Sequence, residues 1–219
     1  MVDESVETPT AGWSDRAQVD WYTKRIGRLE ARLAGEQMLV DVLPQEPRRL
    51  LDLGCGDGRL TALVLSCRPS VEDCVAVDCS LPMLELARER FASDPRVDVK
   101  AWDLKEPIRL LGRFDLVVSG FAIHHLSDSR KQELFQEVVG QLEVDGLFVN
   151  LEVVASATAE RHAEFLAAIG RTADDPEDQL APIEDQLAWM RDAGMTNVDC
   201  LWRWRGFALM VGEVRWRSG

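Results

Sequence analysis

The segment LDLGCGDG, residues 51–58, constrains the fold of this chain more than any other. A short apolar run, Arg49–Leu53, is typical of a buried parallel strand, and it leads through a glycine-rich turn into a helix predicted over Arg59–Cys67. Gly54 and Gly56 let the backbone turn sharply and leave room for a ligand to lie against it. The following helix offers unpaired backbone N–H groups. The segment therefore predicts a ligand-binding turn at the end of a strand.

The rest of the chain alternates predicted strands with predicted helices. Apolar runs and helical spacing place the next elements at Val75–Val77, Ser80–Phe91, Val97–Val99, Phe114–Val118, Ser127–Leu142 and Gly146–Val153. This rhythm predicts a parallel sheet with right-handed crossovers. Two last strands, Val198–Trp204 and Phe207–Val214, flank a tight Arg205-Gly206 turn, which predicts an antiparallel hairpin.

We expect a single domain over residues 13–219, after a leader of residues 1–12. Apolar residues at three- and four-residue steps predict helical structure over residues 14–43, divided in two by Gly27 and Gly35 and ended by Pro44. The predicted parts of the domain are an N-terminal helical lid at 13–46, a binding core at 47–153, a cap helix at 154–175, and a last helix with the hairpin at 176–219.

Composition narrows the classes of function. The net charge of −13 repels phosphate backbones, and no Lys/Arg-rich stripe in the sequence offsets it, so a nucleic-acid partner is disfavoured. The apolar runs are too short to cross a bilayer and the acidic start is unlike a signal peptide, so we expect no membrane partner and a cytoplasmic location. Five cysteines without a CxxC pair argue against a disulfide framework and a zinc site. The sequence predicts no oligomeric state.

The glycine spacing favours one class of cofactor over another. Dinucleotide-binding turns need GxGxxG, whereas this turn reads GxGxG and has Arg59 in the place of the third glycine. The carboxylate of Asp52, just before the first glycine, suits a cofactor with an ammonium group better than one with a pyrophosphate. The sequence also lacks a Tyr-x-x-x-Lys pair. An NAD-dependent oxidoreductase is therefore disfavoured.

Two further acids follow the next predicted strands. Asp78 ends the second strand, where an acid can accept both hydroxyls of a ribose. Asp103 follows the third strand, where a carboxylate can accept the exocyclic amine of adenine. In an open α/β sheet the ligand lies outside the carboxyl ends of the strands. We therefore expect these acids to converge with the glycine turn on one nucleoside site.

Four segments resemble motifs I to IV of class I S-adenosylmethionine-dependent methyltransferases: LDLGCGDG, VAVDCS, AWDL and FDLVVSGFAIHHL. The resemblance covers Leu50–Val153 and points to the small-molecule methyltransferase-domain group with HHL after the fourth strand. It implies a Rossmann-like, doubly wound α/β fold. The implied seven-stranded sheet has the order 3-2-1-4-5-7-6, with strand 7 antiparallel. The implied cofactor is S-adenosyl-L-methionine.

The resemblance also assigns site residues. It implies that Gly54 and Gly56 flank the methionine moiety, that Asp78 holds the ribose and that Asp103 binds the adenine amine. Met83 would form an apolar wall, and Ser119 would contact the cofactor from the fourth strand. The full set of implied cofactor-binding residues is Asp52, Gly54, Cys55, Gly56, Asp78, Cys79, Met83, Asp103, Leu104 and Ser119.

No catalytic residue is fixed by the sequence, because a sulfonium donor is already activated and a base is needed only if the acceptor must lose a proton. The candidates are His124, His125, Glu152 and Tyr22. Adjacent histidines point in different directions, and no carboxylate follows them at ligand spacing, so we expect no metal site. Glu152 is consistent with a substrate contact or with a structural ion pair, and the family resemblance implies a loop-ordering role for the histidines.

The sequence thus predicts an enzyme that transfers a methyl group to an O, N or S atom of a small molecule. Two alternatives stay open: a SAM-binding or carboxy-SAM-forming enzyme of the same fold that is not a methyltransferase, and a tRNA or protein methyltransferase. A basic residue aimed at the methyl position would favour the carboxy-SAM enzyme, and the loop at 119–126 has none. The lid hypothesis predicts that deletion of the residues before Pro44 damages turnover and leaves cofactor binding measurable.

Overall fold

The computed structural model describes residues 29–215 together with Trp13, Asp15, Arg16, Val19, Asp20 and Thr23. The candidate residue Tyr22, Gly27 and most of the helix predicted over residues 14–28 lie outside the described residues. Among the described residues, no helix is long and apolar enough to cross a membrane.

Seven strands and six α-helices alternate along the described part of the chain. The strands are β1 (Arg49–Leu53), β2 (Asp73–Asp78), β3 (Val97–Ala101), β4 (Phe114–Gly120), β5 (Leu142–Val153), β6 (Thr196–Trp204) and β7 (Phe207–Glu213). The helices are α1 (Glu30–Val42), α2 (Arg59–Cys67), α3 (Leu81–Arg90), α4 (Asp128–Gln141), α5 (Ala159–Ala168) and α6 (Ile183–Asp192). The predicted positions of the seven strands and of helices α2, α3 and α4 lie within a few residues of the observed bounds.

The strands form one sheet with the order β3-β2-β1-β4-β5-β7-β6. Strands β1 to β5 pair in parallel, whereas β7 pairs antiparallel with both β5 and β6. The predicted strand order and the antiparallel strand 7 are therefore confirmed. The order reverses direction at β1, which places the carboxyl ends of β1 and β4 on either side of a switch point, where ligands bind in such sheets.

Helices cover both faces of this sheet, because its central strands are apolar on both sides. Leu134 of α4 and Met190 of α6 pack on one face with Leu51 of β1. Leu39 of α1 packs on the other face with Leu50. Successive strand residues point to opposite faces, so β1 contributes to both layers of the core. Packing on both faces of the sheet therefore fixes the positions of the ends of the central strands.

Gly35 does not end a helix, so the prediction that it divides the N-terminal helix was wrong. Helix α1 runs through Gly35, which is buried. A Cβ at this position would come within 2.8 Å of Leu151 Cδ1 and 2.9 Å of the Trp202 ring. The glycine therefore lets α1 lie close against the sheet, and this packing outweighs its low helix propensity.

Candidate functional site

A cavity of about 470 Å³ opens at the carboxyl ends of the parallel strands. The segments that follow β1, β2, β3 and β4 form its wall, as the strand topology predicts for an open α/β sheet. Residues from outside this core complete it, from the N-terminal segment, helix α1 and the loop before α6: Trp13, Arg32, Glu177 and Gln179.

The turn after β1 brings its backbone to the cavity. Gly54 and Gly56 have φ values of 73° and 55°, in the left-handed region that favours glycine. The backbone N–H groups of Gly54 and Cys55 both donate to the Val77 carbonyl at 2.9 Å, which fixes the turn to β2. A Cβ on Gly54 would lie 2.2 Å from Ala122 Cβ, so only glycine fits between the β1 and β4 loops.

Asp78 joins this turn to the end of β2. Its Oδ2 accepts a hydrogen bond from Gly56 N and its Oδ1 accepts one from Ser80 N, both at 2.8 Å. Burial raises the pKa of Asp78, and these backbone hydrogen bonds oppose the rise. Each carboxylate oxygen has a second lone pair, so Asp78 can still accept hydroxyl donors from a ligand in the cavity.

The remaining wall near β2 and β3 combines an apolar surface with one exposed acid. Met83 and Leu104 are buried and line the cavity, and Cys79 lines it as well. Asp103 is exposed, and its Oδ1 accepts a hydrogen bond from Lys105 N at 2.9 Å. This end of the cavity therefore offers a flat apolar ligand both packing surface and a carboxylate acceptor.

Asp52 lies behind the glycine turn and does not line the cavity. Its side chain is fully buried on the face of β1 that α2 covers, and Thr61 Oγ1 donates to Asp52 Oδ2 at 2.6 Å. Its Oδ1 has no hydrogen-bond partner among the described residues. Burial raises the pKa of Asp52 to about 7, although the Thr61 hydrogen bond opposes this. Asp52 therefore fastens the strand to the helix that follows the turn.

Ser119 is also behind the wall. It is fully buried in β4, and its Oγ donates to the Leu53 carbonyl at 2.8 Å. Gly120, Phe121 and Ala122, the next three residues, line the cavity instead. The cofactor contact that the resemblance implied for Ser119 is therefore available to Gly120, the last residue of the same strand.

His124 lies between two carboxylates outside the cavity wall. Its Nδ1 lies 2.5 Å from Glu152 Oε1, its backbone N–H donates to Glu152 Oε2 at 3.0 Å, and its Nε2 lies 3.4 Å from Asp178 Oδ1. Burial lowers the pKa of His124, but the charges of Glu152 and Asp178 outweigh this and raise it to about 9. Glu152 is fully buried at the end of β5 and does not line the cavity.

His125 does line the cavity, on the side of the β4 loop. Burial, and the charge of the neighbouring His124, lower its pKa to about 4. Its Nδ1 lies 3.5 Å from Asp178 Oδ1, and the edge of the Trp13 ring packs against it with a centroid distance of 5.7 Å. Of the three candidates that the structure describes, His125 is therefore the one that can touch a ligand.

Two segments far away in the sequence close the cavity. The Trp13 carbonyl accepts a hydrogen bond from Ser80 Oγ at 2.5 Å, and Trp13 lines the cavity. Gln179 N donates to the His124 carbonyl at 2.8 Å and its Nε2 donates to the His125 carbonyl at 3.1 Å. These bonds hold the loop that carries Glu177 and Asp178 against the histidines.

Helix α1 contributes a buried ionic network. Glu36 accepts hydrogen bonds from Arg32 at 2.9 Å and from Arg59 at 2.8 and 2.7 Å, and both arginines line the cavity. Burial pushes the pKa of Glu36 upward, but its hydrogen bonds with Arg59 and Arg32 outweigh burial and lower it. The Arg32 guanidinium also lies 4.9 Å from the centroid of the Phe121 ring. One end of the cavity is therefore basic.

The structure brings together eight of the ten cofactor-binding residues that the sequence predicted, all in the wall of this one cavity. They are Gly54, Cys55, Gly56, Asp78, Cys79, Met83, Asp103 and Leu104. Four further residues of the cavity wall were not among the predicted site residues: Trp13, Arg32, Phe121 and Gln179. These residues reach the cavity through tertiary contacts, and no spacing in the sequence signals them.

The fold and the cavity together define an open α/β protein with a nucleoside-sized site at the switch point of its sheet. Residues 50–146 match the family described as "Methyltransferase domain". This core of the chain is similar to the methyltransferase domain of class I S-adenosylmethionine-dependent enzymes.

Curated relatives and solved structures agree with this assignment. An uncharacterized methyltransferase of Mycobacterium tuberculosis is 35% identical over 104 residues, which are 46% of this chain and 49% of the relative. Trans-aconitate 2-methyltransferase of Rhodococcus jostii is 34% identical over 128 residues, 58% of this chain and 46% of the relative. The chain thus spans about half the length of these relatives.

Two solved structures share the fold. An O-methyltransferase family protein from Burkholderia thailandensis superposes with a TM-score of 0.73 at 18% identity, covering 93% of this chain and 61% of that protein. The YcgJ protein from Bacillus subtilis superposes with a TM-score of 0.68 at 17% identity, covering 84% of this chain and 99% of that protein. The fold therefore extends over nearly the whole of YcgJ.

Proposed function

We propose that this protein binds S-adenosylmethionine in the described cavity and transfers its methyl group to a small-molecule acceptor. The observation that carries the proposal is the convergence of the glycine turn after β1 with Asp78 and Asp103 on one cavity. These groups follow three neighbouring strands. They offer backbone for the amino-acid part of the cofactor and carboxylates for its ribose and its adenine.

The residues present fit this cofactor. The exposed carboxylate of Asp103 can accept a hydrogen bond from the adenine amine, and Met83 and Leu104 can pack against the base. The remaining lone pairs of Asp78 can accept hydrogen bonds from the ribose hydroxyls. Gly54 and Gly56 line the cavity beside Cys55, so the glycine turn can lie against the methionine part of the cofactor. When bound, the cofactor supplies an activated methyl group on a sulfonium, so the chain has only to align the acceptor and exclude water.

Ion pairing at the basic end of the cavity supports an acidic or polar acceptor. Arg32 and Arg59 share the single carboxylate of Glu36 there. A relative in the same family is named for methylation of trans-aconitate, which is a small polycarboxylate. The net charge of −13 opposes docking of RNA over a wide surface. We therefore favour a small anionic acceptor; the cytoplasmic location stays a prediction.

Isotope transfer tests this proposal. The purified chain is incubated with methyl-labelled S-adenosylmethionine and with three separate pools from one cell extract: small molecules, RNA and protein. We expect label in the small-molecule pool, concentrated in compounds that an anion exchanger retains. Label in the RNA or protein pool alone would contradict the acceptor class. Label in none of the pools, with cofactor bound, would contradict methyl transfer.

The carboxy-SAM alternative is favoured by one observation. The cavity wall does contain the basic residues Arg32, Arg59 and Lys105, although none of them comes from the loop at 119–126. Mass spectrometry of the cofactor after incubation with the chain and small carboxylic acids separates the two activities. A methyltransferase leaves S-adenosylhomocysteine, whereas a carboxy-SAM-forming enzyme leaves a cofactor that is heavier than S-adenosylmethionine.

A further inference from the structure

Three potential metal ligands converge beside the cavity. His124, His125 and Asp178 each present one ligand atom, and these three atoms lie within 4.8 Å of one another. His124 Nε2 lies 3.4 Å and His125 Nδ1 lies 3.5 Å from the same oxygen, Asp178 Oδ1. No carboxylate follows the histidines at ligand spacing in the sequence, but Asp178 reaches them from a distant loop. The expectation of diverging rings failed because the rings turn these two nitrogens toward one point.

The spacing of these atoms suits ligands of one ion better than it suits hydrogen bonds. Separations of 3.4 and 3.5 Å are long for an N–H···O bond. Ligand atoms about 2.1 Å from a tetrahedral metal lie roughly 3.4 Å from each other. His125 Nδ1 is buried and has no hydrogen-bond partner among the described residues. A metal ion would satisfy that nitrogen.

Glu152 supplies the outer contact that a metal-bound histidine usually has. Its Oε1 lies 2.5 Å from His124 Nδ1, and its Oε2 accepts the backbone N–H of the same residue. When Nδ1 carries the proton toward Glu152, the lone pair of Nε2 faces Asp178. Carboxylates that hold the second nitrogen of a histidine in this way fix its tautomer and its orientation in metal sites.

We propose that His124, His125 and Asp178 bind one divalent cation of the zinc type, with Glu152 as the positioning residue behind His124. Two imidazole nitrogens and one carboxylate oxygen form a set that suits Zn²⁺ and Co²⁺. The carboxylates of Asp178 and Glu152 balance the charge of the ion. His125 lines the cavity, so a ligand bound there lies next to this residue. Resting on the proposed function, we assign the fourth position of the ion to an oxygen atom of the methyl acceptor.

Cobalt binding tests the site without methyl transfer. The full chain is cleared of metal with a chelator and titrated with Co²⁺, whose visible absorption is intense only in tetrahedral or five-coordinate sites. We expect one equivalent to bind and Zn²⁺ to displace it. His125→Gln and Asp178→Asn should each abolish the band, and Glu152→Gln should weaken binding by about 10–100-fold while one equivalent still binds. His162→Gln is the matched control, because His162 pairs with Asp174 outside this cluster.

The outcomes separate the metal site from the proposed function. Circular dichroism and S-adenosylhomocysteine binding of each variant show whether it folds and whether the cofactor site survives. A wild-type chain that folds but gives no band, or a His125→Gln chain that keeps it, overturns the metal site. Cobalt binding in a chain that ignores S-adenosylmethionine contradicts the proposed function and leaves the metal site standing.

Discussion

Gly54 and Ala122 meet so closely that a Cβ on Gly54 would lie 2.2 Å from Ala122 Cβ. The contact joins the loops that follow β1 and β4, the two strands on either side of the switch point. Gly54 and Ala122 both line the cavity, so a change in this contact would alter the cavity wall.

Gly54→Ala should disrupt cofactor binding. The new methyl group meets Ala122, and alanine must adopt a φ of 73°, so one of the two loops has to move. We expect destabilisation of about 1–3 kcal/mol and a loss of S-adenosylmethionine affinity of at least about tenfold. Urea unfolding and calorimetry measure the two effects.

Gly140→Ala is the control for that variant. Gly140 lies in α4, and a Cβ there would meet nothing within 4 Å. Alanine at an open helical position should stabilise the chain by about 0.5–1 kcal/mol and leave the cofactor affinity unchanged. If Gly54→Ala behaved in the same way as Gly140→Ala, the close approach of the two loops would have no role in binding.

Asp52→Asn should change how stability depends on pH. The Asp52 carboxyl has a pKa of about 7 in the folded chain and an ordinary value of 3.8. Between these two values the folded chain therefore binds more protons than the unfolded chain. Its contribution to stability is complete below the lower pKa and is lost as pH rises through the upper one. Asparagine cannot ionise, yet it can still accept the Thr61 hydrogen bond. Between pH 5 and pH 8 the free energy of unfolding of wild type should fall by about 1–3 kcal/mol, whereas that of Asp52→Asn should lack this fall.

Urea unfolding of wild type and Asp52→Asn over this range measures the difference. Asp98→Asn serves as the comparison, because Asp98 is exposed on β3 and pairs with Lys100 at 2.8 Å. Its stability curve should run parallel to that of wild type. Parallel curves for Asp52→Asn as well would show that Asp52 keeps an ordinary pKa in the folded chain.

Asp103→Ala should remove discrimination for the adenine amine. Loss of one charge-assisted hydrogen bond should weaken the binding of S-adenosylhomocysteine by about tenfold. The inosine analogue of this ligand lacks the exocyclic amine, so wild type should prefer the adenine form and Asp103→Ala should bind both forms alike. Asp98→Ala, on the strand that leads to Asp103, should keep the preference. An unchanged preference in Asp103→Ala would remove Asp103 from the adenine site.

Trp13→Ala tests the N-terminal segment as a lid. The Trp13 ring packs against His125 and lines the cavity, so its removal should raise the KM for the acceptor more than it lowers thermal stability. Trp13→Phe keeps an aromatic ring and should restore most of the activity. Equal kinetics in wild type and Trp13→Ala would mean that this segment does not select the acceptor.

Deletion of all residues before Pro44 is a poorer test of the lid than the sequence suggested. Such a deletion also removes α1 with its buried Leu39, and the buried Leu43 that follows the helix. Each buried leucine contributes about 1.5–3 kcal/mol, so the truncated chain would lose stability for reasons unrelated to a lid. A single substitution at the opening separates the two roles.

Local patterns were sufficient to predict most of the fold and the strand-end part of the site. Apolar runs marked the strands, and the carboxyl ends of parallel strands share one edge, so Asp78 and Asp103 were expected beside the glycine turn. Strand alternation also explains Asp52, which shares a face with Leu50 and points into the layer under α1 and α2.

Contacts that depend on tertiary packing could not be predicted in this way. Asp178 and Gln179 belong to a loop whose sequence is merely acidic, and only the folded chain shows them against the histidines. Gly35 resembles a helix breaker until the closeness of Leu151 and Trp202 is known. Arg32 occupies an ordinary helical position in the sequence, and its place in the cavity wall follows from how α1 lies on the sheet.

Calorimetry with S-adenosylmethionine, S-adenosylhomocysteine and NAD in parallel tests the central claim most directly. We predict that both sulfur nucleosides bind with one site per chain, that NAD does not bind, and that Asp78→Ala weakens both nucleosides by at least about tenfold. Binding of NAD with no response to either sulfur nucleoside, or equal affinities in wild type and Asp78→Ala, would contradict the assignment of this cavity.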